Sequence, residues 1–181
     1  MKEMNIDFII DNSRGDPWQH GLGFIKLHTT LGYSLNFHSD IIPSPTRNLH
    51  NHTKNFRSEC LIGSIKNIIY DYKKVHMSDW CLESITCKEG DEPKVIEENV
   101  YPYIISEEIQ NIGDVINHKH NEIHDFKLLT KHACTKFNYT SKYLHDAYII
   151  RNKRNDFQCA YANKGTPKEN WEIIREIINY K

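Results

Sequence analysis

The sequence predicts a mainly β protein, a barrel or sandwich, with one helix at its C-terminal end. Three observations predict it. Short apolar stretches recur along most of the chain, bounded by glycine, proline and other turn residues. Only the last segment carries helical spacing and a helix start signal. No internal repeat, low-complexity tract or linker interrupts the 181 residues, which therefore read as one domain, with the barrel over about 22–150 and the helix over about 166–180.

Taken in order, residues 5–11 form a short apolar stretch before the turn-rich "NSRGDPWQHGLG". Arg14-Gly15-Asp16 reads there as loop sequence. "GFIKLHTTLGYSLNFHSDII" reads as two strands joined by a tight hairpin at Leu31-Gly32. "PSPTRN" is a proline-marked loop. "NFRSECLIG" and "SIKNIIYDY" are two strands around Gly63-Ser64, and "DWCLESITCK" is another, bounded by "EGDEP". "KVIEENVYPYIISEEIQNIGD" holds one or two more. "KLLTKHACTKFNY" alternates as a late strand, and "YLHDAYIIRN" fits a strand or a connection. At the end, Thr166 caps, Pro167 suits the first helical position, and Glu169 completes a capping box. Trp171, Ile174, Ile177 and Ile178 then share one face, as a core-packing helix requires.

Composition narrows the function. Net charge is −1 and the pI is near 6.8, so no global field draws in nucleic acid or an anionic membrane. The start, "MKEMNIDFII", lacks the pattern of a signal peptide, and no run reaches the length of a membrane span. Cysteines 60, 81, 87, 134 and 159 are odd in number and scattered, which fits a reducing cytoplasm. The chain is rich in Ile, Asn and Lys, a bias that AT-rich genomes, viral ones included, produce. P-loop, dinucleotide-binding, serine-hydrolase and HExxH patterns are absent.

Among the eleven histidines, His50 and His52 stand out. On a strand, residues two apart face the same way, a little under about 7 Å from each other. Two imidazoles so placed suit one divalent ion, which bonds nitrogen at about 2.0–2.2 Å. His118, His120, Glu122 and His124 share one parity and form an alternative metal set if 118–124 is a single strand. His28-Thr29-Thr30 and His76-Met77-Ser78 match the minimal H-x-T/S pattern of two-histidine phosphoesterases, in which one histidine acts as base and the other as acid.

"LHNHTKNFRSECLIGSIKNIIY" resembles the first motif of the small cupins, and more closely that of the cysteine dioxygenase-like group: H-x-H, a strand, a glycine turn at Gly63 and a return strand. "NIGDVINHKHNEIHDFKLLTKHACTKF" resembles the second, opening at Gly113-Asp114 and placing a histidine at 124. The resemblance covers most of residues 22–137. It implies a double-stranded β-helix (jelly roll) of cupin type, with a metal held by His50, His52 and His124. Fe(II) is the first choice, with Ni, Zn and Mn as alternatives. It also implies a turn at 119–121, which makes His118 and His120 loop residues near the mouth, and "FKLLTKHACTKF" as the closing barrel strand.

The departures matter. The slot for a fourth, glutamate ligand falls on Phe56, while Glu59 has the opposite parity; a three-histidine site is favoured, with Glu59 as the extra-ligand alternative. The cysteine dioxygenases place a crosslinking cysteine at that slot, so Phe56 argues against cysteine as substrate. The second-motif Pro and Gly are missing. Lys26 resembles the basic residue that grips a substrate carboxylate, and Phe56 and Tyr70 are the other candidate substrate contacts. Cys60 shares the ligands' parity and is a candidate for the cavity wall.

The expected function is a metal-dependent, Fe(II) dioxygenase-like oxidoreductase acting on a small polar molecule. The alternative is a barrel that binds or sequesters a metabolite or nucleotide without catalysis. No nucleic-acid or membrane partner is expected, and the family resemblance implies a homodimer.

Overall fold

The computed structural model describes residues 5–42, 49–85, 93–144, 146–154 and 165–180. The proline-marked loop at 43–48, most of "EGDEP", Cys87 and Cys159 lie outside the described residues. Twelve strands and two helices are described, and the sheets are antiparallel throughout.

The first six-stranded sheet contains β1 (Trp18–His20), β2 (Phe24–His28), β3 (Ser34–Ser39), β11 (His132–Tyr139), β5 (Phe56–Ile62) and β9 (Val115–His118), in that spatial order. The second closes on itself as a six-strand barrel. Its order is β10 (Ile123–Leu128), β4 (Leu49–His50), β12 (Ala147–Asn152), β7 (Trp80–Ile85), β8 (Lys94–Gln110) and β6 (Ile65–Lys74). A closed ring leaves no free sheet edge between its paired segments.

Alternation along the strands sorts two cores. In β2 and β3, Ile25, Leu27, Leu35 and Phe37 point to the outer face of the first sheet, together with Cys134 of β11. Against this face pack Ile9 of α1 (Ile6–Asp11) and Ile174 and Ile177 of α2 (Pro167–Ile178). A second core, Leu49, Leu82, Val100, Ile123 and Ile150, belongs to the barrel.

The terminal helix forms as its sequence dictates. Thr166 accepts a hydrogen bond from the Glu169 N–H, Glu169 reaches back to the Thr166 N–H, and Pro167 takes the first helical position. Residues 6–11, by contrast, form a helix that apolar spacing alone does not announce. Its start is fixed by Asn5, whose side chain accepts from the Phe8 N–H at 2.8 Å.

Two turns align the site strands. Gly63 has φ +71°, and a Cβ there would overlap the His132 carbonyl oxygen, so only glycine fits between β5 and β6. At Gly113-Asp114, the Gly113 N–H donates to the Cys60 carbonyl and the Cys60 N–H donates to the Asp114 carbonyl. That exchange holds β9 beside β5. "FKLLTKHACTKF" is two strands rather than one: β10 ends at Leu128, and β11 restarts at His132 in the other sheet. The 94–110 segment is one 17-residue strand, bulged where it passes from β7 to β6. Among the described residues, no helix is long and apolar enough to cross a membrane.

Candidate metal centre

Of the three candidate ligands, His50 and His124 sit on barrel strands, facing the first sheet. His50 ends β4, and its register partner across the ladder is His124 of β10. Side-chain alternation sends their neighbours Leu49 and Ile123 the opposite way, into the barrel core. His52 lies just past β4, so the ladder does not place it. The chain is instead pinned at Asn51, whose N–H donates to the Tyr148 carbonyl and whose Oδ1 accepts from the Tyr148 N–H.

The three rings converge. One ligand atom from each of His50, His52 and His124 lies within 4.8 Å of the others. His52 Nε2 and His124 Nε2 are 2.9 Å apart. Ring centroids are separated by 5.1 Å (His50–His52), 4.7 Å (His50–His124) and 5.0 Å (His52–His124). An ion about 2.1 Å from each nitrogen would sit about 3.2 Å from each ring centre; ring centres would then be about 4.5 Å apart at right angles and about 5.2 Å apart in a tetrahedron. The observed triangle falls between these limits, so the residues fit a single divalent ion.

Burial holds the His52 and His124 pKa values well below the usual imidazole range, and the neighbouring histidines add to the effect. Both are therefore neutral near pH 7, the form a metal requires. One feature departs from common metal sites. His124 Nδ1 is buried without a hydrogen-bond partner, whereas a ligating histidine usually donates its second N–H to a fixed acceptor.

Phe56 closes one side. Its ring lies 4.4 Å from His52 and 5.5 Å from His124, so a hydrocarbon wall stands where a fourth ligand would enter. Glu59 is on the outward side of β5 with Arg57, and its carboxylate lies 3.4 Å from Lys136 Nζ. Lys26 projects from the inner side of β2, with Nζ 5.2 Å from the centre of the Phe137 ring, and burial lowers its pKa. Phe137 in turn lies 6.0 Å from His52. Tyr70 pairs in register with Ile123 and packs with the barrel core, on the face opposite His124. Cys60 is fully buried on the Phe56 face of β5, and burial raises its thiol pKa to about 11, so it is an inert wall residue.

His118 is not a loop residue. It ends β9, is 3% exposed, and stacks on Phe56 at 4.5 Å with its centroid 4.8 Å from His124. The turn does fall at 119–122, so 118–124 is not one strand. His120 lies in that turn, where its backbone N–H and Nδ1 both meet Asn55 Oδ1. Of the phosphoesterase pair, His28 ends β2 and hydrogen-bonds Ser34, whereas His76 lies exposed between β6 and β7. No ring contact joins them among the described residues.

The inner face of the first sheet is more polar than sequence reading suggested. Asn36 is the register partner of both Lys26 and Thr135. His38, two residues on, is 5% exposed, and neither ring nitrogen has a hydrogen-bond partner; nor does Asn36 Oδ1. The signal was present in "SLNFHS", where Ser34, Asn36 and His38 alternate with Leu35 and Phe37, but both faces of β3 are buried.

Fold and site together define a mainly β protein with a closed six-strand barrel and a three-histidine cluster that can hold a metal ion. Compared with known proteins, the sequence matches no family model and no curated relative.

Proposed function

We propose that the chain is a cupin-type metal protein whose reaction is Fe(II) dioxygenase-like and whose substrate is a small polar molecule. The observation that carries this reading is the convergence of His50, His52 and His124 beside a hydrocarbon wall, which leaves coordination positions open. Bound there, Fe(II) supplies the redox chemistry with O₂. The chain's own residues do the rest. Neutral imidazoles hold the ion, and Phe56 and Phe137 exclude water from one side. Lys26, an ammonium with no carboxylate partner among the described residues, steadies an anionic group of the substrate. A reducing cytoplasm suits the buried free thiols of Cys60, Cys81 and Cys134.

The test is elemental analysis of protein purified without chelator or nickel affinity. About one iron per chain is expected in the native protein and none in His124→Ala. Native protein that carries no transition metal ends the reading.

The unpartnered polar atoms of Asn36 and His38 favour a second reading, a barrel that binds a polar metabolite without turning it over. It predicts a metal-free protein that retains an organic ligand through purification.

A further inference from the structure

A second concavity, of about 370 Å³, lies between the β2–β3 hairpin and the end of β11. That is near the lower end of the roughly 300–1,000 Å³ range of small-molecule sites. Arg14, His28, Tyr33, Phe137, Asn138 and Tyr139 carry its chemistry. Phe137 is shared ground: it lines the groove, stacks on Phe56 at 4.7 Å and stands 6.0 Å from His52. The groove therefore adjoins the metal centre across one ring.

Its charge is one-sided. Among the described residues no carboxylate lines it, and Arg14 does. Each of its three aromatic rings has an ammonium above it: Lys26 over Phe137 at 5.2 Å, Lys54 over Tyr139 at 4.9 Å and Lys136 over Tyr33 at 5.0 Å. Among the described residues, Lys136 alone of the three is paired with a carboxylate, Glu59 at 3.4 Å. The side chains of Arg14, Tyr33 and Asn138 make no hydrogen bond among the described residues, so their donors are free to meet a ligand. The same positive field reaches His28, whose pKa is lowered by burial first and then by Lys26 and Arg14. A concave wall of one sign concentrates the opposite charge, and a guanidinium matches an oxyanion in two-point geometry.

We propose that this groove binds the oxyanion group, carboxylate or phosphate, of the organic molecule that the three-histidine cluster serves. The inference rests on the proposed metal reading for the second half of that statement, and on the groove alone for the first. It extends the substrate from a small polar molecule to an organic anion long enough to pass Phe137.

The test titrates the full chain with inorganic phosphate, succinate and chloride, read by amide NMR shifts at residues 14, 28 and 138 and by calorimetry. Phosphate or succinate is expected to bind saturably and more tightly than chloride, and the tighter of the two identifies the oxyanion class. Arg14→Gln, at an exposed position, is expected to weaken that binding roughly tenfold with an unchanged melting temperature, since a charge-assisted hydrogen bond is lost. Binding of neither oxyanion above chloride, or an Arg14→Gln affinity equal to wild type, overturns the proposal. Metal content measured in the same samples separates the two ideas. Metal without oxyanion binding removes the groove, whereas oxyanion binding without metal removes the redox reading and keeps the groove.

Discussion

His52 Nε2 and His124 Nε2 lie 2.9 Å apart although 72 residues separate them in the chain. Two neutral imidazoles at that distance share one proton, or they share one cation. The first arrangement leaves a donor and an acceptor matched; the second uses both lone pairs. The depressed basicity of both rings keeps protons from competing with the cation.

Metal retention should therefore extend to lower pH than free histidine chemistry suggests. Ordinary imidazoles protonate at about pH 6.5 and would release a metal as they do. With His52 and His124 shifted downward by burial, metal content should begin to fall only below the ordinary imidazole pKa of about 6.5. Elemental analysis after dialysis at each pH checks this; a loss centred near pH 6.5 would show the rings to be ordinary.

Acid should destabilise the fold through His38. Burial lowers its pKa to about 3, against about 6.5 unfolded. Between those values the unfolded chain binds the extra proton, so stability falls as pH falls, by about 1.4 kcal/mol per pH unit for this one group. Urea denaturation of wild type and His38→Leu should diverge by about 2 kcal/mol in their losses between pH 6.5 and 5.0. The variant loses less.

Lys26→Met should stabilise the protein at neutral pH. The native ammonium is held in partial burial with no carboxylate partner among the described residues, and its lowered pKa records the cost. Thermal melting should show a higher midpoint for the variant, and calorimetry should show weaker binding of phosphate or succinate. Such opposition between stability and binding marks a site residue.

Gly63→Ala should be costly. The left-handed backbone alone disfavours a side chain by about 1–2 kcal/mol, and the added Cβ would overlap the His132 carbonyl. A fall in melting temperature of at least about 4 °C is expected for a chain of this size. A fall of a degree or less would mean that the turn can rearrange.

Much of this was legible in the residues. The helix at 167–178 announced itself through its capping box, and the hairpin and the Gly63 turn through their glycines. A resemblance of residues 111–137 to a known second motif pointed to His124, and the structure pairs that residue with His50 across neighbouring strands. His118 was misplaced because "NHKHN" reads as one turn, while its first histidine is held in β9 by pairing with Phe56. That pairing is a contact across 62 residues, which local pattern does not encode. The polar lining of Asn36 and His38 was hidden for a related reason. With both faces of β3 buried, alternation between core and water gave no signal.

Leu49 beside His50, and Ile123 beside His124, point to opposite sides of the same two strands. A slip of one residue in either strand would exchange greasy and nitrogenous side chains at a stroke. The His50–His124 edge of the histidine triangle thus has no assembly step of its own: whatever drives Leu49 and Ile123 out of water also aims His50 and His124 at their target, and a mutant that scrambles one loses the other.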